Sequence, residues 1–123
     1  MPKLLLLTMA VVELGTGIAL LIAPSLVVEL LLGEGLSSPQ SLVLGRITGA
    51  ALISIAVACW RASYSEPSVG RGLVGGMLIY NLAVPVLLAR AAIVDGMRGI
   101  AIWPACVLHL GLGIWCVLCL PRR

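Results

Sequence analysis

Four long apolar runs dominate this sequence: residues 4–23, 41–60, 72–94 and 99–120. Each has about the 20 residues that a helix, rising about 1.5 Å per residue, needs to cross about 30 Å of hydrocarbon. Backbone groups in lipid must pair within their own segment, so each run is expected to be helical. The runs do not alternate as the strands of a lipid-facing barrel would. The predicted fold class is all-α: a four-helix transmembrane bundle running up-down-up-down. Composition agrees. Of the 123 residues 61% are apolar and 11% charged, whereas soluble domains average about 45–50% and about 25%. A soluble domain of this size leaves too much of its surface wet to hide so much apolar area. Little chain remains outside the runs, so one domain over residues 1–123 and no separate soluble module is expected.

The first run starts at Lys3 with a leucine stretch, as a secretory signal would. A signal core has about 7–15 apolar residues, and this run is longer and carries Glu13. It is read as a retained span. The basic residues then set the orientation. Lys3, Arg61, Arg71, Arg122 and Arg123 share one side. The other side has Arg90 and Arg98 with the acids Glu29, Glu34 and Asp95. The positive-inside rule places both termini in the cytoplasm, with Trp60, Tyr64 and Trp115 near the inner interface and Trp103 near the outer one. The net charge of +3 reflects this topology and is no nucleic-acid signal. A multi-pass protein of a bacterial inner membrane is expected.

Between the runs, Pro24 ends or bends the first helix. Residues 25–32 continue it either as a short helix lying in the outer interface or as the end of one long tilted helix. Residues 33–40 read as a turn, 62–70 as a loop broken by Pro67, and Asp95-Gly96 as a very short third connection. Small residues let helices approach in lipid. Gly45 and Gly49 form a G-x-x-x-G, extended by Ala50, Ser54 and Ala58, and Gly72 with Gly76 repeats the spacing. Packing inside the bundle explains them more simply than a dimer seam. Residues 16–21, TGIALL, resemble residues 48–53, TGAALI. Pro85 is expected to kink the third span and to free a carbonyl.

Each span also carries a polar residue. Glu13, Asn81 and His109 lie near the middle of theirs, and Arg46 lies nearer the outer end of the second. A charge at the bilayer centre costs at least about 2.5–3.5 kcal/mol, so these residues should point inward and meet. The expected arrangement is a Glu13–Arg46 ion pair, an arginine fork on a carboxylate, with Asn81, His109 and Tyr80 completing a cluster. On the fourth span Ala105, Cys106, His109, Leu112, Gly113 and Cys116 share one face. Two roles fit the cluster: a network that fixes helix register, or a site for a ligand or pathway.

Cofactor chemistry is left unassigned. With a single histidine, a second haem ligand could in principle come from Met77, and four zinc ligands do not converge at a recognisable spacing. Cys116 and Cys119 form a Cys-x-x-Cys with Cys59 near the same end. The four-helix quinone-linked disulfide enzymes use such cysteines, usually on the oxidising side, whereas these should face the reducing cytosol. Cysteine is also an ordinary small core residue.

Glu13-Leu14-Gly15 in the first span and Gly45-Arg46 with Gly49 in the second resemble the layout of the small bacterial DoxX-like membrane proteins. The resemblance covers most of the chain and implies the four-helix fold. It implies little about activity beyond the redox accessory roles suggested for some members. The small multidrug resistance antiporters are also similar in size and use a first-span glutamate to exchange protons for cationic drugs as homodimers. Glu13 stands where that glutamate would. Met77 to Asn81 lacks that family's aromatic and glycine pattern, and Arg46 is a further departure. The function expected is a small membrane protein whose polar cluster binds a lipid, quinone or other amphipathic molecule, or which acts as an accessory subunit or homo-oligomer. A proton-coupled transporter and a purely structural scaffold are the alternatives. An enzyme is the less favoured class.

Overall fold

A computed structural model of the protein describes residues 2–120, and they form five helices and no strand. These are α1 (Pro2–Ile22), α2 (Pro24–Leu32), α3 (Pro39–Ala62), α4 (Pro67–Ile93) and α5 (Ile102–Cys119). All but α2 are long and apolar enough to cross a membrane. The protein is an all-α bundle of four membrane-spanning helices. Ile79, Leu87, Val107 and Leu118 are exposed on its outside, so both its interior and its surface are apolar, as a bundle dissolved in lipid requires.

Proline punctuates the helix starts. Pro24, Pro39 and Pro67 each open a helix, where the missing N–H costs nothing and the fixed φ suits the first turn. Ser38 caps α3 by accepting from the Ser41 N–H at 3.0 Å, the usual role of a serine hydroxyl there. Pro67 therefore starts α4 rather than breaking a loop, and the third span begins five residues before the expected residue 72. Ala23 leaves the helical region at φ −137°, so α2 is a separate short helix rather than the tilted end of α1.

The third connection is longer than the expected Asp95-Gly96 pair, because α5 starts only at Ile102. Gly96 turns the chain at φ +71°. The Ala101 N–H donates to the Leu30 carbonyl at 2.8 Å, and Gly99 lies against the Leu31 backbone, where a Cβ would clash. The connection is thus held on α2. Lys3 and Arg71 line one end of the bundle, and Glu34, Asp95 and Arg98 the other. Arg122 and Arg123 lie outside the described residues.

α1 packs chiefly on α3, and α4 chiefly on α5; the two pairs touch each other much less. The first pair is closed at a glycine crossing. A Cβ on Gly17 would sit 2.7 Å from the Gly49 carbonyl, and one on Gly49 would sit 2.7 Å from the Gly17 carbonyl. Gly45 meets Pro24 and Leu36. The G-x-x-x-G of α3 thus packs within the chain. The two similar hexapeptides are the two sides of one crossing, since Leu20 lies against Gly49 and Ile53 against Gly17.

Candidate functional site

Glu13 lies on the buried stripe of α1, in line with Met9, Ala10, Gly17 and Leu20, the i, i+4 neighbours that share a helix face. It is 1% exposed. Its hydrogen-bond partner comes from the other helix pair. Tyr80 Oη donates to Glu13 Oε2 at 3.5 Å, the outer limit of a hydrogen bond. The Tyr80 ring stands edge-on to His109, with centroids 5.4 Å apart. His109 Nδ1 lies 2.8 Å from Asn81 Oδ1, and fully buried Asn81 donates from Nδ2 to the Met77 carbonyl at 2.8 Å. The chain Glu13–Tyr80–His109–Asn81 therefore crosses the seam between the α1/α3 and α4/α5 pairs.

These contacts fix a tautomer. The Met77 carbonyl only accepts, so the Asn81 amide must turn its nitrogen toward it and its oxygen toward His109. That oxygen also only accepts, so His109 Nδ1 carries the hydrogen. Nitrogen NMR of the His109 ring is expected to show a hydrogen on Nδ1. A neutral ring with its hydrogen on Nε2 would contradict this arrangement.

One acceptor is left open, and another loses its helical donor. Glu13 Oε1 is buried with no hydrogen-bond partner. Pro85 lies inside α4 and has no N–H, so the Asn81 carbonyl lacks its i+4 donor. That carbonyl faces α5 where Gly113 thins the helix, 3.7 Å from the position of a Gly113 Cβ. An unsatisfied buried polar atom costs about 1–3 kcal/mol, so Glu13 Oε1 is an energetic burden on the bundle as it stands.

Arg46 is not part of this cluster, and the expected Glu13–Arg46 ion pair does not form. Arg46 is exposed, and the one ion pair among the described residues is Arg90–Asp95 at 3.5 Å. The reason is register. The crossing sets Gly17 level with Gly49, which leaves Glu13 four residues to one side and Arg46 three to the other. At about 1.5 Å per residue, they stand about 10 Å apart along the bundle axis. Arg46 also shares its side of α3 with Ala50 and Val57, both exposed. Arg46→Leu is therefore expected to change unfolding free energy by less than about 0.5 kcal/mol. Loss of one partner from a buried ion pair would cost about 3–5 kcal/mol, and unfolding titrations in micelles separate the two.

The larger cavities lie away from the cluster: one of about 670 Å³ at the end carrying Lys3 and Arg71, and one of about 530 Å³ at the end carrying Asp95 and Arg98. Cys106, Leu112, Gly113 and Cys116 of the predicted α5 face are buried, and Ala105 and His109 half-buried. Cys59 and Cys116 are buried in the same apolar core as Leu5, Leu6 and Met9, where they pack as small apolar residues. Cys119 is half-buried. No three His, Cys, Asp or Glu side chains among the described residues come together to hold a metal ion. Comparison with protein-family models, curated proteins and solved structures finds no match to this chain.

Proposed function

We propose that this membrane protein binds a small amphipathic molecule, a lipid, quinone or relative, with its polar head at Glu13, Tyr80, Asn81 and His109. The observation that carries this reading is the buried Glu13 carboxyl, whose Oε1 has no partner inside the bundle. Buried polar groups are nearly always paired, so a ligand head that completes the carboxyl is the simplest reason to keep it. The sparse seam between the helix pairs supplies the route, with the ligand's tail lying between them. Both termini in the cytoplasm belong to the same proposal, from the distribution of Lys and Arg, and a bacterial inner membrane belongs to it from the DoxX-like layout. The test is mass spectrometry of organic extracts of the purified protein. A stoichiometric amphiphile is expected, and bulk lipid alone would count against the reading.

One observation favours a second reading, the proton-coupled transporter. Glu13 faces no cation, since Arg46 lies elsewhere, and an intramembrane carboxyl without a fixed countercharge is what such exchange requires. That reading predicts that Glu13→Gln abolishes proton-driven uptake of an organic cation in proteoliposomes. The binding reading predicts no such uptake by the wild type.

A further inference from the structure

A second feature lies at one end of the bundle, away from the Glu13 cluster. The start of α1, the end of α3, the start of α4 and the end of α5 converge around a cavity of about 670 Å³, within the size range of small-molecule sites, about 300–1,000 Å³. Its lining is split by chemistry. Leu6, Leu118 and Leu120 give an apolar side, while Lys3, Arg71 and Glu66 bring two positive charges and one negative. None of these three charges is in an ion pair with another described residue.

Lys3 and Glu66 are left available in different ways. Lys3 Nζ stands 4.4 Å over the Tyr64 ring, a cation–π contact that places the ammonium without neutralising it. Glu66 precedes the first turn of α4, yet its side chain makes no capping hydrogen bond, so the carboxylate is uncommitted. Its backbone carbonyl takes the Val69 and Gly70 N–H groups, and Pro67 has none. The positive end of the α4 dipole adds to Arg71 there. The Ser63 and Ser65 hydroxyls donate back to the Trp60 and Arg61 carbonyls, which leaves their oxygens as acceptors.

We infer that this cavity binds the headgroup of a zwitterionic phospholipid bearing a primary ammonium, a phosphatidylethanolamine. The phosphate lies between Lys3 and Arg71 and the ammonium against Glu66 and the serine oxygens. Charge complementarity chooses this occupant. Two cations suit one phosphate, and the carboxylate beside them repels a purely anionic head. An ammonium offers three N–H donors to a carboxylate, whereas a choline head offers none. Placement agrees, because four helix ends and the Trp60–Tyr64 aromatic pair mark the level at which a bilayer's headgroups sit. The site stands independently of the Glu13 cluster, since none of the cluster residues lines the cavity.

The test is lipid retention by native mass spectrometry, with the full chain released from nanodiscs holding equal parts of phosphatidylethanolamine, phosphatidylcholine and phosphatidylglycerol. Phosphatidylethanolamine is expected to be retained about tenfold over phosphatidylcholine, the weight of one charged hydrogen-bond set. Glu66→Gln should erase the preference for phosphatidylethanolamine over phosphatidylglycerol. Lys3→Gln with Arg71→Gln should lower retention of both by about tenfold or more, and Lys3→Arg with Arg71→Lys should restore it. All these positions are exposed at helix ends, so helicity by circular dichroism should match the wild type. Equal retention of the three lipids, or a preference that Glu66→Gln leaves unchanged, would overturn the inference.

Discussion

Gly49→Leu is expected to lower the unfolding free energy of the bundle by about 3 kcal/mol, at the upper end of what overpacking costs. The side chain would start 2.7 Å from the Gly17 carbonyl and 3.0 Å from the Leu20 Cβ and the Leu21 nitrogen. Backbone atoms cannot step aside as a flexible side-chain tip does, so α1 and α3 must part along much of their length. Gly17→Leu should act alike for the reciprocal reason. Gly76→Leu and Gly111→Leu are the controls, because a Cβ at either position meets nothing within 4 Å. They should stay within about 0.5 kcal/mol of the wild type. Reversible unfolding in mixed micelles measures all four. Equal costs at Gly49 and Gly76 would show that the crossing does not hold the first helix pair.

The second large effect is at Glu13, and its sign is opposite. Glu13→Met removes a carboxyl whose Oε1 is buried without a partner and whose other oxygen is reached by Tyr80 only at 3.5 Å. Methionine fills similar space with no group to desolvate. In ligand-free micelles the variant is expected to be more stable than the wild type by about 1–3 kcal/mol, the usual cost of an unsatisfied buried polar atom. A residue kept at the expense of stability is retained for something else: a ligand, transport or the specification of helix register. If the carboxyl stabilised the bundle through its contact with Tyr80, Glu13→Met would instead lower stability. Unfolding titrations of the two proteins decide the sign.

The spans were legible because lipid imposes one strong rule, about 20 apolar residues per crossing, and nothing in 4–23 or 41–60 competes with it. The ends were less so. Pro67 carries the same sequence signal whether it breaks a loop or opens a helix, and only the packing of α4 along the bundle selects the second. The eight-residue passage from α4 to α5 depends on Gly99 lying against Leu31, a contact between segments far apart in sequence. Within the site, similar depth and the cost of a polar group in lipid brought Asn81, His109 and Tyr80 toward Glu13. Arg46 was different. Its depth relative to Glu13 depends on how α1 and α3 slide past one another, and that is set by Gly17 meeting Gly49. The similar hexapeptides at 16–21 and 48–53 held that register, but two like segments do not by themselves say that they touch.

The proposed ligand head is held at Glu13, across the seam between the helix pairs. Native mass spectrometry of the wild type and of Glu13→Met, extracted side by side from the same membranes, tests this most directly. The wild type is expected to carry one small amphiphile per chain that Glu13→Met lacks, beside any phosphatidylethanolamine the two share. Identical sets of adducts on the two proteins would contradict binding at Glu13.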